Sequence, residues 1–261
     1  MSRDLRATFD RAAATYQDAR PDYPAELYAD LLDVTGVTPS AHLLEVGCGP
    51  GKATLPLARM GFRITAVELG AALAAEARRL ARRILRRLRH HVVVRGLGAA
   101  GPLRPRVRGH GLEVGGPGGQ VRQGGLLLTP GGHLAVWNAD HAMPSDFDPF
   151  FTEIQKTYEE IGEGHDGPWP GPTPEEQDDP MAAEFDASGH FTVVGTKLYV
   201  WALRYTADEY LALLDTFSGH IAMEPDKREH LYRQIRRLLA ARPDGRLTRH
   251  WSAVLTVGRR L

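Results

Sequence analysis

The spacing of apolar residues divides the chain into alternating strands and helices. Short apolar runs predict strands at residues 43–46, 63–67, 133–138, 191–203 and 251–257. Helical spacing predicts a first helix at residues 2–32, with a break near 21–24. Further helices are predicted at 53–60, 71 to about 83, 150–161, 207–217 and 226–239. Thr206 is the predicted N-cap of the helix at 207. Residues 162–188 are rich in Gly, Pro and acidic side chains and predict a surface loop, in which Trp169 could cover a bound substrate. This alternation indicates an α/β fold.

A glycine-rich turn joins the first predicted strand to the next helix, in the run Glu45-Val-Gly-Cys-Gly-Pro-Gly51. Glycines 47, 49 and 51 let the backbone turn sharply and approach a ligand where a β-carbon would clash. Amide N–H groups at such a helix start favour polar or anionic ligand groups. The second strand is followed by Glu68, 21 residues after Gly47, which places a carboxylate within reach of ribose hydroxyls. The pattern therefore predicts a cofactor that contains a nucleoside.

Length and composition set the protein class. A chain of 261 residues fits one large α/β domain, or one domain with a small appendage. Lys plus Arg and Asp plus Glu balance at 32 each, so charge gives no support for a nucleic-acid or membrane partner. The single cysteine, Cys48, excludes an internal disulfide, and we interpret it as a small filler of the tight turn rather than a nucleophile. With a polar N-terminus and no apolar run of 18 residues, the chain is expected to be soluble and cytoplasmic.

The middle of the chain has an unusual composition. Residues 85–128 contain only Ala, Gly, Val, Glu, Leu, Pro, His, Gln and Arg, all of which have codons that begin with G or C. At ordinary composition, such a run has chance odds on the order of one in a hundred million. A GC-rich gene read one base out of register gives this pattern, because third codon positions become first positions. Shifting one plausible set of codons by a base turns Arg95-Gly-Leu97 into Glu-Asp-Trp.

The alternative interpretation is a genuine low-complexity Arg/Gly segment that binds RNA. The segment lacks the aromatic residues on which single-strand binders stack bases. It also occupies the place where the fold needs two central strands. We therefore favour the out-of-frame interpretation, and we assign no nucleic-acid role to its arginines and no metal role to His90, His91 or His110.

Together these features resemble the class I S-adenosylmethionine-dependent methyltransferases, most of all the bacterial group related to methyltransferase type 11 proteins. The resemblance covers residues 9–76 and 126 to about 257, including Phe9-Asp-Arg-Ala-Ala-Ala-Thr-Tyr16, Ala19-Arg-Pro-Asp-Tyr-Pro24 and Leu128-Thr-Pro-Gly-Gly-His-Leu134. It implies a Rossmann-like, doubly wound, mostly parallel sheet of seven strands with an antiparallel last strand, and strands 3 and 4 disrupted by the out-of-frame segment. It also implies one domain over 1–261, with a helical cap at 1–40, a cofactor-binding half at 41–84, the suspect segment at 85–128 and a substrate-side half at 129–261.

The resemblance implies roles for individual residues toward S-adenosylmethionine. Glu45 would organise the turn that receives the methionine amino end, and Gly47, Cys48, Gly49 and Gly51 would pass close to the cofactor. Glu68 would accept hydrogen bonds from the ribose diol. Tyr16, Arg20 and Tyr23 would either close over the methionine part or only pack at a helix terminus. The acidic residue that usually faces the adenine amino group is replaced by Arg95-Gly-Leu97, so this contact is in doubt.

The methyl acceptor is expected to be a small molecule, and no metal is implied. Candidates for the substrate pocket are Tyr23, Trp137, Asn138 and His141; His141 is either a base or a solvated loop residue, and Trp137 either a pocket wall or a structural plug. Because a sulfonium is already an activated methyl donor, the protein mainly has to align the nucleophile and exclude water. No residue is assigned as catalytic.

Two other functions remain open. The chain could be a degraded, non-catalytic relative, because losing two central strands removes much buried apolar surface from a fold with a net stability of only roughly 5–15 kcal/mol. For this sequence as it stands we therefore expect poor folding or weak cofactor binding. A nicotinamide-dependent oxidoreductase is the other possibility, although G-x-G-x-x-G would require glycine where Lys52 stands.

Overall fold

The computed structural model of the protein describes residues 16–68, 70–85, 92–96, 112–115, 121, 128–165 and 167–261. Its helices are α1 (Ala25–Thr35), α2 (Thr54–Arg59), α3 (Ala71–Leu85), α4 (Phe150–Glu160), α5 (Pro180–Ser188), α6 (Ala207–Leu214), α7 (Ser218–Ala222) and α8 (Pro225–Ala240). Its strands are β1 (His42–Val46), β2 (Arg63–Glu68), β3 (Val92–Gly96), β4 (Leu112–Gly115), β5 (His133–Val136), β6 (Asp140–Ala142), β7 (Phe191–Thr206) and β8 (Arg246–Arg260). Residues 16–19 are also helical, and Pro174–Glu176 forms a 3₁₀ turn.

The described strands form one mixed sheet in the order β3-β2-β1-β4-β5-β8-β6, with β7 on β8. The first five strands along this order are parallel, and β8 runs antiparallel to β5. The chain leaves β1 toward β2 and β3 on one side and later returns to β4 and β5 on the other. In open α/β sheets, this reversal beyond the carboxyl ends of the strands is where ligands bind.

A long antiparallel ribbon of β7 and β8 closes the sheet. The two strands pair along their whole length, from Phe191 opposite Arg260 to Thr206 opposite Arg246, with a bulge at Val193/Gly195. The opposite edge of β8 pairs with β5 near its end and with the short strand β6 near its middle. One ribbon therefore connects the parallel sheet to the helices of the second half.

Two buried clusters hold these layers together. Leu27, Tyr28 and Leu31 of α1 belong to the cluster around β1 and β2, while α4, α6 and α8 pack with Trp251 in a second cluster. Burying a large apolar side chain stabilises a fold by about 1.5–3 kcal/mol, so both clusters contribute strongly. Among the described helices, none is long and apolar enough to cross a membrane.

The sequence predictions hold for most elements of the first half. The strands β1 and β2, the helices α2 and α3 and the break before α1 lie where the apolar spacing puts them. The prediction of a surface loop at 162–188 is wrong for residues 174–176 and 180–188, where the structure contains the 3₁₀ turn and α5. The predicted strand at 133–138 ends at Val136, and a separate strand β6 follows.

Helix α5 forms because its one large apolar side chain finds a matching surface. Phe185 is fully buried and packs on Gly258 of β8, where an added β-carbon would lie 2.4 Å from the Phe185 ring. Asp179 caps the helix by accepting a hydrogen bond from the Met181 amide at 2.9 Å. Because its sequence has no strong helical pattern, α5 depends on tertiary packing in order to form.

The expectation that strands 3 and 4 are disrupted is not confirmed. The structure places β3 beside β2 and β4 between β1 and β5, both within the segment of unusual composition. The other residues of 85–128 lie outside the described residues, apart from Leu85, Val121 and Leu128. The predicted count of seven strands is not confirmed either, because the described residues form eight, including β6.

Candidate functional site

A cavity of about 290 Å³, called here the first cavity, lies at the carboxyl ends of β1 and β5. It is lined by residues from three separate parts of the chain: 16–23, 45–53 and 137–139. Of the predicted site residues, Tyr16, Arg20, Tyr23, Glu45, Gly47, Cys48, Gly49, Trp137 and Asn138 line this cavity. Gly51, Glu68 and His141 do not line it. The fold thus brings most of the candidates together across more than a hundred residues of sequence.

Glu45 is a buried carboxyl group in the wall of the first cavity. Its side chain is only 3 % exposed, and its Oε2 accepts a hydrogen bond from Thr54 Oγ1 at 2.6 Å. Burial raises the pKa of Glu45 to about 7, against the opposing effect of the Thr54 hydrogen bond. A cationic ligand group in the cavity would favour the charged form of this carboxyl.

The glycine turn is shaped by hydrogen bonds to the neighbouring strand. The amides of Gly47 and Cys48 both donate to the Val67 carbonyl, at 2.8 and 3.2 Å, and the Gly49 amide donates to Glu68 Oε2 at 2.8 Å. These amides are therefore already used within the protein. The expectation of N–H groups for a polar or anionic ligand concerns the start of α2 and stays a prediction.

Gly47 and Gly49 are nevertheless needed as glycines. Their φ angles are +74° and +54°, and a β-carbon on either would meet no atom within 4 Å, since it would point into open space. Gly51 differs, because a β-carbon there would contact Leu55 Cγ at 3.4 Å and the residue turns the chain into α2. The prediction that Gly51 passes along the ligand is therefore not supported by its position.

Glu68 lies at the end of β2, as predicted, but it bonds to the backbone of the turn. Its Oε1 accepts from the Gly70 amide at 2.7 Å and its Oε2 from Gly49, and its side chain is 8 % exposed. A carboxylate has about four lone-pair sites, so two such bonds leave capacity for further donors. In this structure Glu68 holds the glycine turn against β2.

Trp137 combines the two roles that the sequence left open. It is 4 % exposed, lines the cavity, and makes edge-to-face contacts with Tyr23 and Tyr28 at ring-centre distances of 6.2 and 6.5 Å. Asn138 follows it, and its amide donates to Asp140 Oδ2 at 2.6 Å. The wall formed after β5 is thus rigid and partly aromatic.

Arg20 lines the first cavity and contacts the loop after α6. Its Nε donates to Thr216 Oγ1 at 2.7 Å, and its guanidinium carbon lies 3.9 Å from the centre of the Phe217 ring and 5.2 Å from that of Tyr16. These contacts attach the segment around residue 20 to the loop after α6. Arg20 therefore brings a cation to the wall of the cavity and connects this wall to Phe217.

Lys52 is a cavity residue that the sequence analysis did not assign as a ligand contact. Its side chain is 13 % exposed and its Nζ lies 2.8 Å from Asp22 Oδ1. The signal was available, because Lys52 directly follows the glycine turn. Cys48, by contrast, is 4 % exposed, and burial raises the pKa of its thiol, which fits a filler of the turn and not a nucleophile.

His141 lies in a different place from the other candidates. It lines a second cavity of about 440 Å³, together with Phe151, Trp169, Phe217 and Arg249 among others. Burial lowers the pKa of His141 to about 2, so the ring is neutral near pH 7 and is a poor base. His141 lies in strand β6 and its Nε2 is buried, which does not fit a solvated loop histidine.

The end of β3 is the place where the resemblance expects an acidic residue that faces the adenine amino group. Arg95 pairs with Val67 and Gly96 with Glu68, so Arg95 and Gly96 stand where the resemblance expects an acidic group. No group of three or more His, Cys, Asp or Glu residues that could hold a metal is found within the residues that the structure describes.

Comparison with known proteins agrees with this architecture. A family model described as a methyltransferase domain matches residues 44–95, which run from β1 through β3. A search of curated proteins gives no match.

Solved structures resemble the whole fold at low sequence identity. A protein assigned as a type II methyltransferase from Anaeromyxobacter dehalogenans has 20 % identity and a TM-score of 0.56, covering 92 % of this chain and 97 % of that one. An S-adenosylmethionine-dependent methyltransferase from Thiobacillus denitrificans, determined with S-adenosyl-L-homocysteine, has 17 % identity and a TM-score of 0.51, with 100 % and 99 % covered. A protein assigned as a methyltransferase from Bacillus halodurans has 13 % identity and a TM-score of 0.50, with 90 % and 99 % covered. These likenesses show the fold.

Proposed function

We propose that this chain, a class I S-adenosylmethionine-dependent methyltransferase by its family match and fold, transfers a methyl group to a small-molecule acceptor by in-line displacement. The observation that carries the proposal is the first cavity. Its lining combines the glycine turn after β1, the buried Glu45 and the aromatic wall after β5.

The charges of the first cavity suit an amino-acid group. Glu45 offers a carboxylate to an ammonium group, while Arg20 and Lys52 offer cations to a carboxylate. The open space beside Gly47 and Gly49 allows a ligand to approach the backbone closely. Both properties fit the methionine part of S-adenosylmethionine.

Glu68 is the residue proposed to bind the ribose. It lies at the carboxyl end of β2, next to Gly49, and its oxygens can accept more than the two backbone hydrogen bonds that they already have. When bound, S-adenosylmethionine supplies an activated methyl group on a sulfonium. The protein's own residues then have to orient the ligand and exclude water, which the buried Trp137 and the Arg20–Phe217 contact help to do.

The site can be tested with two matched glycine variants. Gly49→Ala puts a methyl group into the open space of the first cavity, and Gly36→Ala puts one at the end of α1, away from it. The two positions have φ angles of +54° and +62° and no atom within 4 Å of the added carbon, so the backbone strain is similar. We expect Gly49→Ala to weaken S-adenosyl-L-homocysteine binding at least about tenfold, or 1.4 kcal/mol, in calorimetric titration, and Gly36→Ala to leave it unchanged.

The result would count against the proposal if both variants lost binding equally, or if neither did. A wild-type protein that melts cooperatively but does not bind the ligand would favour a non-catalytic relative. The melting temperature of each variant separates an effect on the cavity from a general loss of stability.

A further inference from the structure

The second cavity contains a buried cation without a carboxylate partner. Arg249 of β8 is 5 % exposed, and its Nε has no hydrogen-bond partner. None of the ion pairs among the described residues involves it. Buried charges are normally paired, because desolvating an isolated ion is costly. An unpaired buried guanidinium therefore points to an anion from outside the chain.

The surroundings of Arg249 support its position without neutralising its charge. Its guanidinium carbon lies 4.5 Å from the Trp251 ring centre and 5.4 Å from that of Phe217, and it donates a hydrogen bond to the Tyr210 hydroxyl. Cation–π contacts stabilise a cation but leave its charge available to an anion. The guanidinium is held in place with an unused N–H donor.

The rest of the cavity wall has a larger apolar and aromatic part and a polar part, which consists of His141, Gln155, Glu163, His165 and His220. Its apolar and aromatic members are Phe151, Ile154, Tyr158, Trp169, Tyr210, Leu214 and Phe217. His141 Nε2 and Trp169 Nε1 are buried without hydrogen-bond partners. A concave, mostly apolar wall with a few convergent polar groups is typical of a small-molecule site.

The charged groups that line the second cavity favour a ligand with a single negative charge. Burial keeps His141 and His220 neutral near pH 7 by lowering their pKa values to about 2 and about 4. Glu163 is partly exposed and forms an ion pair with Lys227 at 3.3 Å. Arg249 is thus the one uncompensated buried charge identified among the described residues of this wall, and its planar fork matches a carboxylate.

The second cavity also adjoins the first one. Phe217 lines the second cavity. The centre of its ring lies 3.9 Å from the guanidinium carbon of Arg20, which lines the first cavity, and 5.4 Å from that of Arg249. Ala139 lines the first cavity and His141, two residues later, lines the second. A ligand in one cavity therefore lies next to a ligand in the other.

We propose that the second cavity binds the methyl acceptor, and that the acceptor is a small molecule with one carboxylate, held by Arg249, on an aromatic or apolar body. This inference rests on the proposed function and specifies its substrate class. Trp169, from the segment that was predicted to be a surface loop, covers the acceptor.

The test uses phenylacetate as the probe on the full-length protein, in the presence of saturating S-adenosyl-L-homocysteine. We expect phenylacetate to bind at least tenfold more tightly than the neutral 2-phenylacetamide and more tightly than phenyl phosphate. Arg249→Met should weaken phenylacetate binding at least tenfold and leave the affinity for S-adenosyl-L-homocysteine unchanged. Arg246→Met, three residues earlier on β8 and paired with Glu209, is the control and should change neither.

Each outcome decides a separate point. Equal binding of phenylacetate and 2-phenylacetamide, tighter binding of phenyl phosphate, competition with S-adenosyl-L-homocysteine, or no phenylacetate binding would overturn this inference alone. These ligand comparisons need only wild-type protein, so they hold even if Arg249→Met fails to fold. Absence of S-adenosyl-L-homocysteine binding would overturn the proposed function, and the acceptor role with it.

Discussion

The carboxyl group of Glu45 lies in the wall of the first cavity, with the Thr54 hydroxyl as its hydrogen-bond donor. Its pKa in the folded protein is about 7, above the usual 4.5 of a glutamate carboxyl group. The folded state therefore holds this proton more tightly than the unfolded state does. The resulting stability is fully present below about pH 4.5 and is lost as the pH rises through 7.

The variant Glu45→Gln isolates this effect, because the amide keeps an acceptor for Thr54 but does not titrate. We expect the wild-type protein to lose about 3 kcal/mol of unfolding free energy between pH 4.5 and 8 relative to the variant. Urea denaturation of both proteins across this range measures the difference. Parallel stability curves for the two proteins would mean that Glu45 is not buried as a high-pKa carboxyl.

Arg249 shows what sequence reasoning missed at single positions. In β8 buried and partly exposed residues alternate from Arg246 onward, with Leu247, Arg249 and Trp251 facing inward. The sequence prediction began the strand at Trp251, because an arginine at an inward position interrupts the apolar alternation. Because of this buried charge, the sequence prediction missed the first five residues of the strand and one of the residues that line the second cavity.

Asp148 joins three elements through one carboxylate. It accepts hydrogen bonds from the Phe150 amide at the start of α4, from the Thr248 amide of β8 and from the Arg242 guanidinium beyond α8, at 2.9, 2.7 and 2.5–2.9 Å. Its side chain is 10 % exposed. These contacts attach the start of α4 and the segment after α8 to strand β8.

We expect Asp148→Ala to lower the unfolding free energy by about 2–4 kcal/mol, because it leaves partly buried donors without an acceptor. The control Asp208→Ala removes a carboxylate that is 85 % exposed and paired with Arg236, so its cost should stay below about 1 kcal/mol. Urea denaturation of both variants compares the two. Similar losses would show that Asp148 does not join these elements.

The elements at residues 42–85 could be predicted because their signals are local. The apolar runs of β1 and β2 and the glycine turn between β1 and α2 need no distant contact to be recognised. Helix α5 and strand β6 could not be predicted, since α5 depends on Phe185 meeting Gly258 and β6 on pairing with the middle of β8. Both depend on contacts between residues far apart in sequence.

The strands β3 and β4 lie within the segment whose composition indicates a shifted reading frame. Their presence leaves the genetic interpretation as a prediction, because short runs rich in Val or Leu can pair as strands in either case. We expect sequencing of the gene between the codons for Ala75 and Pro130 to show a one-base insertion and a compensating deletion near the two ends. A gene whose codons in this region encode the given amino acids in one uninterrupted frame shared with the flanking codons, without an insertion or a deletion, would refute the frame shift.

At the scale of the whole molecule, the first cavity does not depend on the suspect segment for its lining. All of its lining residues lie at 16–23, 45–53 and 137–139, outside 85–128. The sequence predicted which of these segments carry the site, although not that the Arg20–Phe217 contact connects them to the second cavity. We therefore expect the chain to retain a cofactor site, in place of the poor folding or weak cofactor binding expected from its sequence.

Calorimetric titration of the wild-type protein with S-adenosyl-L-homocysteine tests this account most directly. We expect one site per chain with a Kd below roughly 100 μM, and a melting temperature that rises with ligand concentration because only the folded state binds. A protein that melts cooperatively but shows neither binding heat nor a thermal shift at about 1 mM ligand would contradict the account.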